Sequence, residues 1–110
     1  MIKKNDLSII IPCYNEQDSL PLLLKKLLEI RLECNEIILV DNGSTDNSSQ
    51  VIENFIKKKY SFIKLLKIKD NIGYGHGIMS GLKKASSQIV AWTHADLQTD
   101  PRDVVNAYQF

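Results

Sequence analysis

His94, Asp96 and Gln98 stand at alternate positions just after the apolar run Gln88 to Trp92, near the end of this 110-residue chain. A carboxylate flanked by imidazole and amide oxygen suits a divalent cation that carries phosphates, because hard cations take oxygen ligands and imidazole can complete the set. The same stretch also reads as a turn in which Asp100 and Pro101 open the next helix. Three more polar clusters lie upstream. They are Tyr14-Asn15-Glu16, then Asp41-Asn42-Gly43-Ser44, then a glycine-rich segment with Gly73, Gly75, Gly77 and Gly81. Glycines there allow left-handed backbone and close approach, and the helix that starts after them offers free N–H groups to an anion. A flexible turn ahead of a helix is the plainer reading of that segment, with His76 as a turn residue.

The elements that must position these clusters alternate in type. Leu7 to Pro12 is a short continuous apolar run, as expected of a buried parallel strand. Leu20, Leu23, Leu24, Leu27 and Leu28 then form one stripe at helical spacing, able to cover a sheet face. Glu36 to Asp41 reads as a second strand, and the turn after it leads into a helix with Val51, Ile52, Phe55 and Ile56. Phe62 to Ile68 is the third strand, whose interleaved Lys64 and Lys67 place it at a sheet edge. A helix carrying Ile78, Met79, Leu82 and Ala85 follows, then the strand Gln88 to Trp92, then a helix start at Pro101. The fold class expected is α/β: a Rossmann-like, mainly parallel sheet with right-handed crossovers and helices on both faces. All four polar clusters then fall at strand carboxyl ends, where such a sheet gathers residues around one ligand.

Composition narrows the partners. With 14 basic and 13 acidic side chains the net charge is +1, which gives no field toward nucleic acid or an anionic membrane. The run Lys57-Lys58-Lys59 reads as a solvated helix end. Cys13 and Cys34 have neither metal-type spacing nor the look of a disulfide framework, so a reducing cytoplasm is expected, with Cys13 a small buried hydrophobe. Lys3 and Lys4 before Leu7 to Ile11 only faintly imitate a signal peptide, since Asp6 intervenes and the run is short. No stretch approaches the roughly 20 apolar residues of a membrane span. The glycines do not match a dinucleotide fingerprint, because position six is Ile78 and the turn follows the third strand. Nor is there a phosphate-binding loop ending in Gly-Lys-Ser or Gly-Lys-Thr. At 110 residues the chain makes one domain at most and is expected to be incomplete.

Taken together, the clusters resemble the nucleotide-sugar-binding half of glycosyltransferase family 2, the inverting enzymes of GT-A fold. The matching stretches are Ser8 to Glu16, Ile38 to Asp46, Asn71 to Gly77 with Gly81, and Ala95 to Gln98. They cover nearly the whole chain in the family's order. The Asp96-Leu97-Gln98 ending, with Asp100-Pro101 after it, looks most like the polyprenyl-phosphate sugar transferases, typified by dolichyl-phosphate mannose synthase.

The resemblance implies inverting transfer of a sugar from a UDP- or GDP-linked donor to a polyprenyl phosphate or a glycan hydroxyl. It assigns Pro12, Tyr14, Asn15 and Glu16 to the nucleotide wall and Asp41 to the base, with Asn42, Gly73, Gly75 and His94 also around the nucleotide sugar. Asp96 would hold Mn2+ or Mg2+, with Gln98 and His94 as further ligands. Residues 1–110 would be the donor-binding part, with any general base and acceptor half expected beyond Phe110. The full-length protein would then work in the cytoplasm, at the cytoplasmic face of the membrane. Two positions depart from the family pattern. Asn42 stands where a second acid is usual, and His94 replaces the first acid of the Asp-x-Asp motif. Alternatives are a noncatalytic nucleotide- or protein-binding module and a sugar-nucleotide nucleotidyltransferase, although Tyr14-Asn15-Glu16 is not the glycine-rich basic loop the latter needs.

Overall fold

The computed structural model describes residues 6–58, 60–96 and 100–108. Strands and helices alternate among them: β1 (Leu7–Cys13), α1 (Leu20–Glu29), β2 (Glu36–Asn42), α2 (Ser48–Ile56), β3 (Ile63–Ile68), α3 (Tyr74–Lys84), β4 (Ile89–Trp92) and α4 (Pro101–Tyr108). The strands pair in parallel in the order β3-β2-β1-β4. The edge position expected for β3 from its lysines is therefore correct. Lys64 reaches Glu36, and Lys67 reaches Glu53 of α2. Lys57 and Lys58 are exposed just past α2, as a solvated helix end should be, whereas Lys59 lies outside the described residues.

β1 is apolar without alternation because both of its faces are covered. Leu7, Ile9, Ile11 and Cys13 join Ile37 and Leu39 of β2 in one core with Leu20, Leu23, Leu24 and Leu27 of α1, Ile52 of α2 and Val105 of α4. Successive strand side chains point to opposite faces, so Ile10, Ile38 and Val40 form the second, smaller cluster. This second face receives α3. Its covering differs from the sequence expectation. Met79 and Leu82 are exposed, Ala85 just past the helix packs half-buried against the second cluster as expected, and the residues α3 buries are Gly77 and Gly81. The helix lies so close to the sheet that a Cβ at position 81 would stand 2.5 Å from Ile10 Cγ2 and 3.1 Å from Val40 Cγ2. Contact here is made by backbone, which hydrophobic periodicity does not register.

At the amino ends of the strands, away from the polar clusters, Glu36 is 1% exposed. Its carboxylate accepts hydrogen bonds from Ser8 Oγ at 2.6 Å, Lys64 Nζ at 2.6 Å, Ser86 N at 2.6 Å and Ser86 Oγ at 2.8 Å. One charge thus ties β1, β2, β3 and the α3–β4 connection. Burial by itself would raise the carboxyl pKa, but the bonds from Lys64, Ser8 and Ser86 outweigh it and hold the value at about 2.

Two stability tests follow from this packing. Gly81→Ala should lower stability by about 1–3 kcal/mol through overpacking. Gly75→Ala, where nothing lies within 4 Å of the added carbon, should raise it by roughly 0.4–1 kcal/mol. Urea unfolding of the two variants checks the contrast, and equal effects would contradict the close α3 contact. For Glu36, a folded value below the ordinary 4.5 means that its contribution is complete above that pH and lost as pH falls toward 2, on the order of 3 kcal/mol in all. The gap in urea midpoint between wild type and Glu36→Gln should therefore narrow across this window. A gap that stays constant would rule out the carboxylate as the source of the stabilisation.

Candidate functional site

β1 lies between β2 and β4, so chain connections leave it in opposite directions. In open parallel sheets, ligands bind outside the carboxyl ends at such a point. The register is decisive here. Trp92, the last residue of β4, pairs with Ile10, and Thr93 N donates to Ile10 O at 3.0 Å. β1 continues three residues further, to Cys13. The segment after β4 therefore runs past the end of β1, and between them opens a cleft of about 270 Å³. Pro12, Cys13, Tyr14, Glu16, Asn42, Tyr74, His94, Ala95 and Asp96 line it.

The loops around this cleft are held by their own polar side chains. Asn15 adopts left-handed backbone at φ 51°, a conformation that asparagine tolerates better than most residues. From there its Oδ1 accepts from Thr45 N at 2.8 Å, and its own N donates to Ser44 Oγ at 3.0 Å. Asp46 accepts from Gln17 N at 3.2 Å and from Ser48 N and Oγ at 2.9 and 2.6 Å. Burial would raise the Asp46 pKa, but the bonds from Ser48 and then Gln17 hold it below the usual range. Asp41 accepts from Ser44 N at 3.1 Å and from the Ser49 hydroxyl. Gly43, at φ 74°, passes so near the next loop that a Cβ would meet Asn71 N at 2.6 Å. Ser19 Oγ, at the start of α1, lies 2.9 Å from Glu16 Oε2 and 3.2 Å from Ala95 O, joining the two cleft walls.

Asn42 links the floor to the glycine segment. Its Nδ2 donates to Asn71 Oδ1 at 3.2 Å and to Gly73 O at 3.0 Å. Its Oδ1 is buried with no hydrogen-bond partner among the described residues. An orphaned buried acceptor costs about 1–3 kcal/mol, so it is a place where an incoming N–H or O–H would be rewarded. Glu16 and Asp96 make the cleft acidic, and no lysine or arginine is among its described lining residues. Burial, then the charges of Asp41 and Glu16, pushes the Cys13 thiol far above its usual range. Burial also raises Cys34, to about 11. Both stay protonated and behave as small apolar side chains, as the sequence suggested for Cys13.

Of the residues singled out from sequence, Pro12, Tyr14, Glu16, Asn42, His94 and Asp96 come together in the cleft. Asn15 and Asp41 lie just behind, bonded within the loops, and Gly73 and Gly75 stand at the start of α3 outside the lining. Gln98 lies outside the described residues. Tyr74 was missed. Its hydroxyl is 2.7 Å from His94 Nδ1, and burial, then the Asp96 charge, raises its pKa, so it remains a phenol. The signal was an aromatic set between two glycines of a turn. Among the described residues no group of three or more His, Cys, Asp or Glu side chains could enclose a metal. Mg2+-type ions nevertheless bind through one or two carboxylates plus substrate phosphates, and Asp96 at an acidic cleft fits that sparse set.

Known proteins share this fold. The chain is 36% identical over 105 residues to the undecaprenyl-phosphate 4-deoxy-4-formamido-L-arabinose transferase of Proteus mirabilis, an alignment covering 93% of this chain and 32% of that protein. It therefore spans about a third of the length of the curated relatives it matches. Among solved structures, a mannosyltransferase from Pyrobaculum calidifontis in complex with GDP-Man and Mn2+ superposes with a TM-score of 0.84 at 24% identity, over 97% of this chain and 32% of that one. TarS 1-349 of S. aureus in complex with UDP-GlcNAc superposes at 0.75 with 26% identity, over 94% and 30%. The model of Glycosyl transferase family 2 matches residues 8–110. From the first strand to the last residue, this chain belongs to glycosyl transferase family 2.

Proposed function

We propose that this chain binds the nucleoside-diphosphate sugar of an inverting sugar transfer whose acceptor is a polyprenyl phosphate. The observation that carries the reading is the single cleft at the β1/β4 divergence, to which three separate strand ends contribute residues. Its acidic lining would repel a bare diphosphate but suits one neutralised by a divalent cation. Asn42, part of the cleft lining, carries a buried side-chain oxygen with no hydrogen-bond partner among the described residues, which a base or ribose donor would satisfy if the amide turned toward it. Support for the acceptor comes from the relative's name, an undecaprenyl-phosphate transferase. Support for the donor class comes from the GDP-Man and UDP-GlcNAc held by the structural neighbours.

In this reading Asp96, with Gln98, holds Mn2+ or Mg2+. Such an ion supplies charge neutralisation for the departing nucleoside diphosphate. Pro12, Tyr14, Glu16 and Asn42 form the nucleotide wall, while Asn15 and Asp41 keep the wall's loops in register and Gly73 and Gly75, at the start of α3, stand beside the nucleotide sugar. An acceptor oxygen forms the new bond to the anomeric carbon from the face opposite the diphosphate as the old C–O bond breaks, so the configuration inverts. A phosphate monoester is already largely ionised near neutral pH and needs no strong base. No helix among the described residues is long and apolar enough to cross a membrane. The reading places the complete protein at the cytoplasmic face, where a lipid-linked acceptor presents its phosphate.

Isothermal titration with GDP and UDP tests the site. Mn2+ should strengthen binding of the preferred nucleotide by at least about tenfold, roughly 1.4 kcal/mol, and Asp96→Ala should abolish that gain while the chain stays folded. Binding that is indifferent to Mn2+ would refute the cation role, and a folded chain that takes neither nucleotide would leave a module without a donor site.

A further inference from the structure

His94 is held by aromatic neighbours on two sides. Its ring and that of Tyr74 lie within 14° of parallel at a centroid separation of 5.5 Å, with Tyr74 Oη 2.7 Å from His94 Nδ1. Trp92 meets both edge-on, 5.7 Å from Tyr74 and 5.4 Å from His94. Edge-to-face contacts of this kind have a preferred geometry and fix ring orientation. The imidazole therefore has Nδ1 engaged, while Nε2 makes no hydrogen bond among the described residues, and His94 is part of the cleft lining.

What Nε2 offers depends on who donates in the Tyr74 contact. A neutral imidazole carries one N–H. If Nδ1 donates to the phenol oxygen, Nε2 keeps a lone pair and can ligate a metal. If the phenol donates to Nδ1, Nε2 carries the proton and is a hydrogen-bond donor. Phenol lone pairs are drawn into the ring, which makes the O–H a strong donor and the oxygen a weak acceptor. The Nδ1 lone pair is localised in the imidazole plane and accepts well. Donor strength thus puts the shared proton on Tyr74 and the ring proton on Nε2.

The rest of the cleft makes that proton useful. The carboxylates of Glu16 and Asp96 are acceptors, as is the unpartnered oxygen of Asn42, and Asn42 Nδ2 is already given to Asn71 and Gly73. A diphosphate brings only acceptors, and no lysine or arginine is among the described lining residues to meet it.

We propose that Tyr74 is a positioning residue that holds His94 with its Nε2–H toward the cleft, so that His94 donates to the diphosphate of the nucleotide instead of ligating the cation. The proposal rests on the donor-site reading above. At position 94, where imidazole replaces a metal-binding acid, the side chain then grips the phosphates directly and leaves Asp96 as the acidic ligand.

Two readouts test it. Nitrogen–proton correlation spectra of the imidazole rings, with His94→Asn identifying the resonances, should show the Nε2–H tautomer in wild type and a mixture of tautomers in Tyr74→Phe. In titrations with GDP and UDP at saturating Mn2+, His94→Ala should weaken binding about five- to tenfold and Tyr74→Phe by a smaller factor set by the fraction of Nε2–H tautomer left, the double variant no more than His94→Ala, because groups acting as one unit do not add. The Mn2+ affinity of the nucleotide complex should change by less than about twofold in His94→Ala, since a lost ligand would cost far more. An Nδ1–H imidazole, additive losses, or Mn2+ affinity that falls with His94→Ala overturns the proposal. Nucleotide binding with the wrong tautomer sinks the Tyr74–His94 pair alone, whereas a wild-type chain that binds no nucleotide sinks the donor-site reading and the pair together.

Discussion

The pairing of β1 on both edges is the constraint from which the rest of the molecule follows. Ile9 sits level with Ile37 on one side and Ala91 on the other, and all seven residues of the strand are buried. Because β4 stops level with Ile10 while β1 runs on to Cys13, the residues after Trp92 must pass beside Pro12, Cys13 and Tyr14. A slip of one residue would turn every side chain to the opposite face, which would bring Ile10 toward α1 and move His94 and Asp96 off the cleft. Backbone pairing and apolar burial therefore determine where the carboxylates stand, although neither involves a carboxylate.

The local field differs from the global one. A net charge of +1 describes a nearly neutral protein, yet the cleft gathers Glu16 and Asp96 with no lysine or arginine among its described lining residues. Basic groups are used elsewhere, in pairs such as Lys26 of α1 with Asp100 just before α4, and Arg102 of α4 with Glu33 in the loop after α1. Surface pairs of this type contribute little each. None of these basic groups enters the described lining of the cleft, and an acidic concavity favours a cation.

Polar turn residues divide into two groups that look alike in sequence. Asn15, Asp41 and Asp46 saturate one another's loops with hydrogen bonds, while Asn42 and Asp96 line the open space. Spacing alone could not separate them, since all stand within a few residues of a strand end. The α1 stripe was legible because leucines at helical spacing mean burial almost regardless of partner. The α3 face was not, because its contact is made by Gly77 and Gly81, whose lack of a side chain leaves no hydrophobic signal. Tyr74 escaped for a related reason. Its role arises from His94, twenty residues away, and no local pattern encodes a hydrogen bond between the start of α3 and the segment after β4.

Element order, the apolar strands, the placement of four polar clusters at carboxyl ends and the family itself were all present in the chain as written, since each depends on short-range periodicity or on motifs of neighbouring residues. Folding added the relations between distant residues: the order β3-β2-β1-β4, the three-residue offset between β1 and β4, the buried Glu36 tie, and the contact of Tyr74 with His94. These depend on strand register and on how closely backbones approach, and both are settled only when the whole sheet packs against its helices.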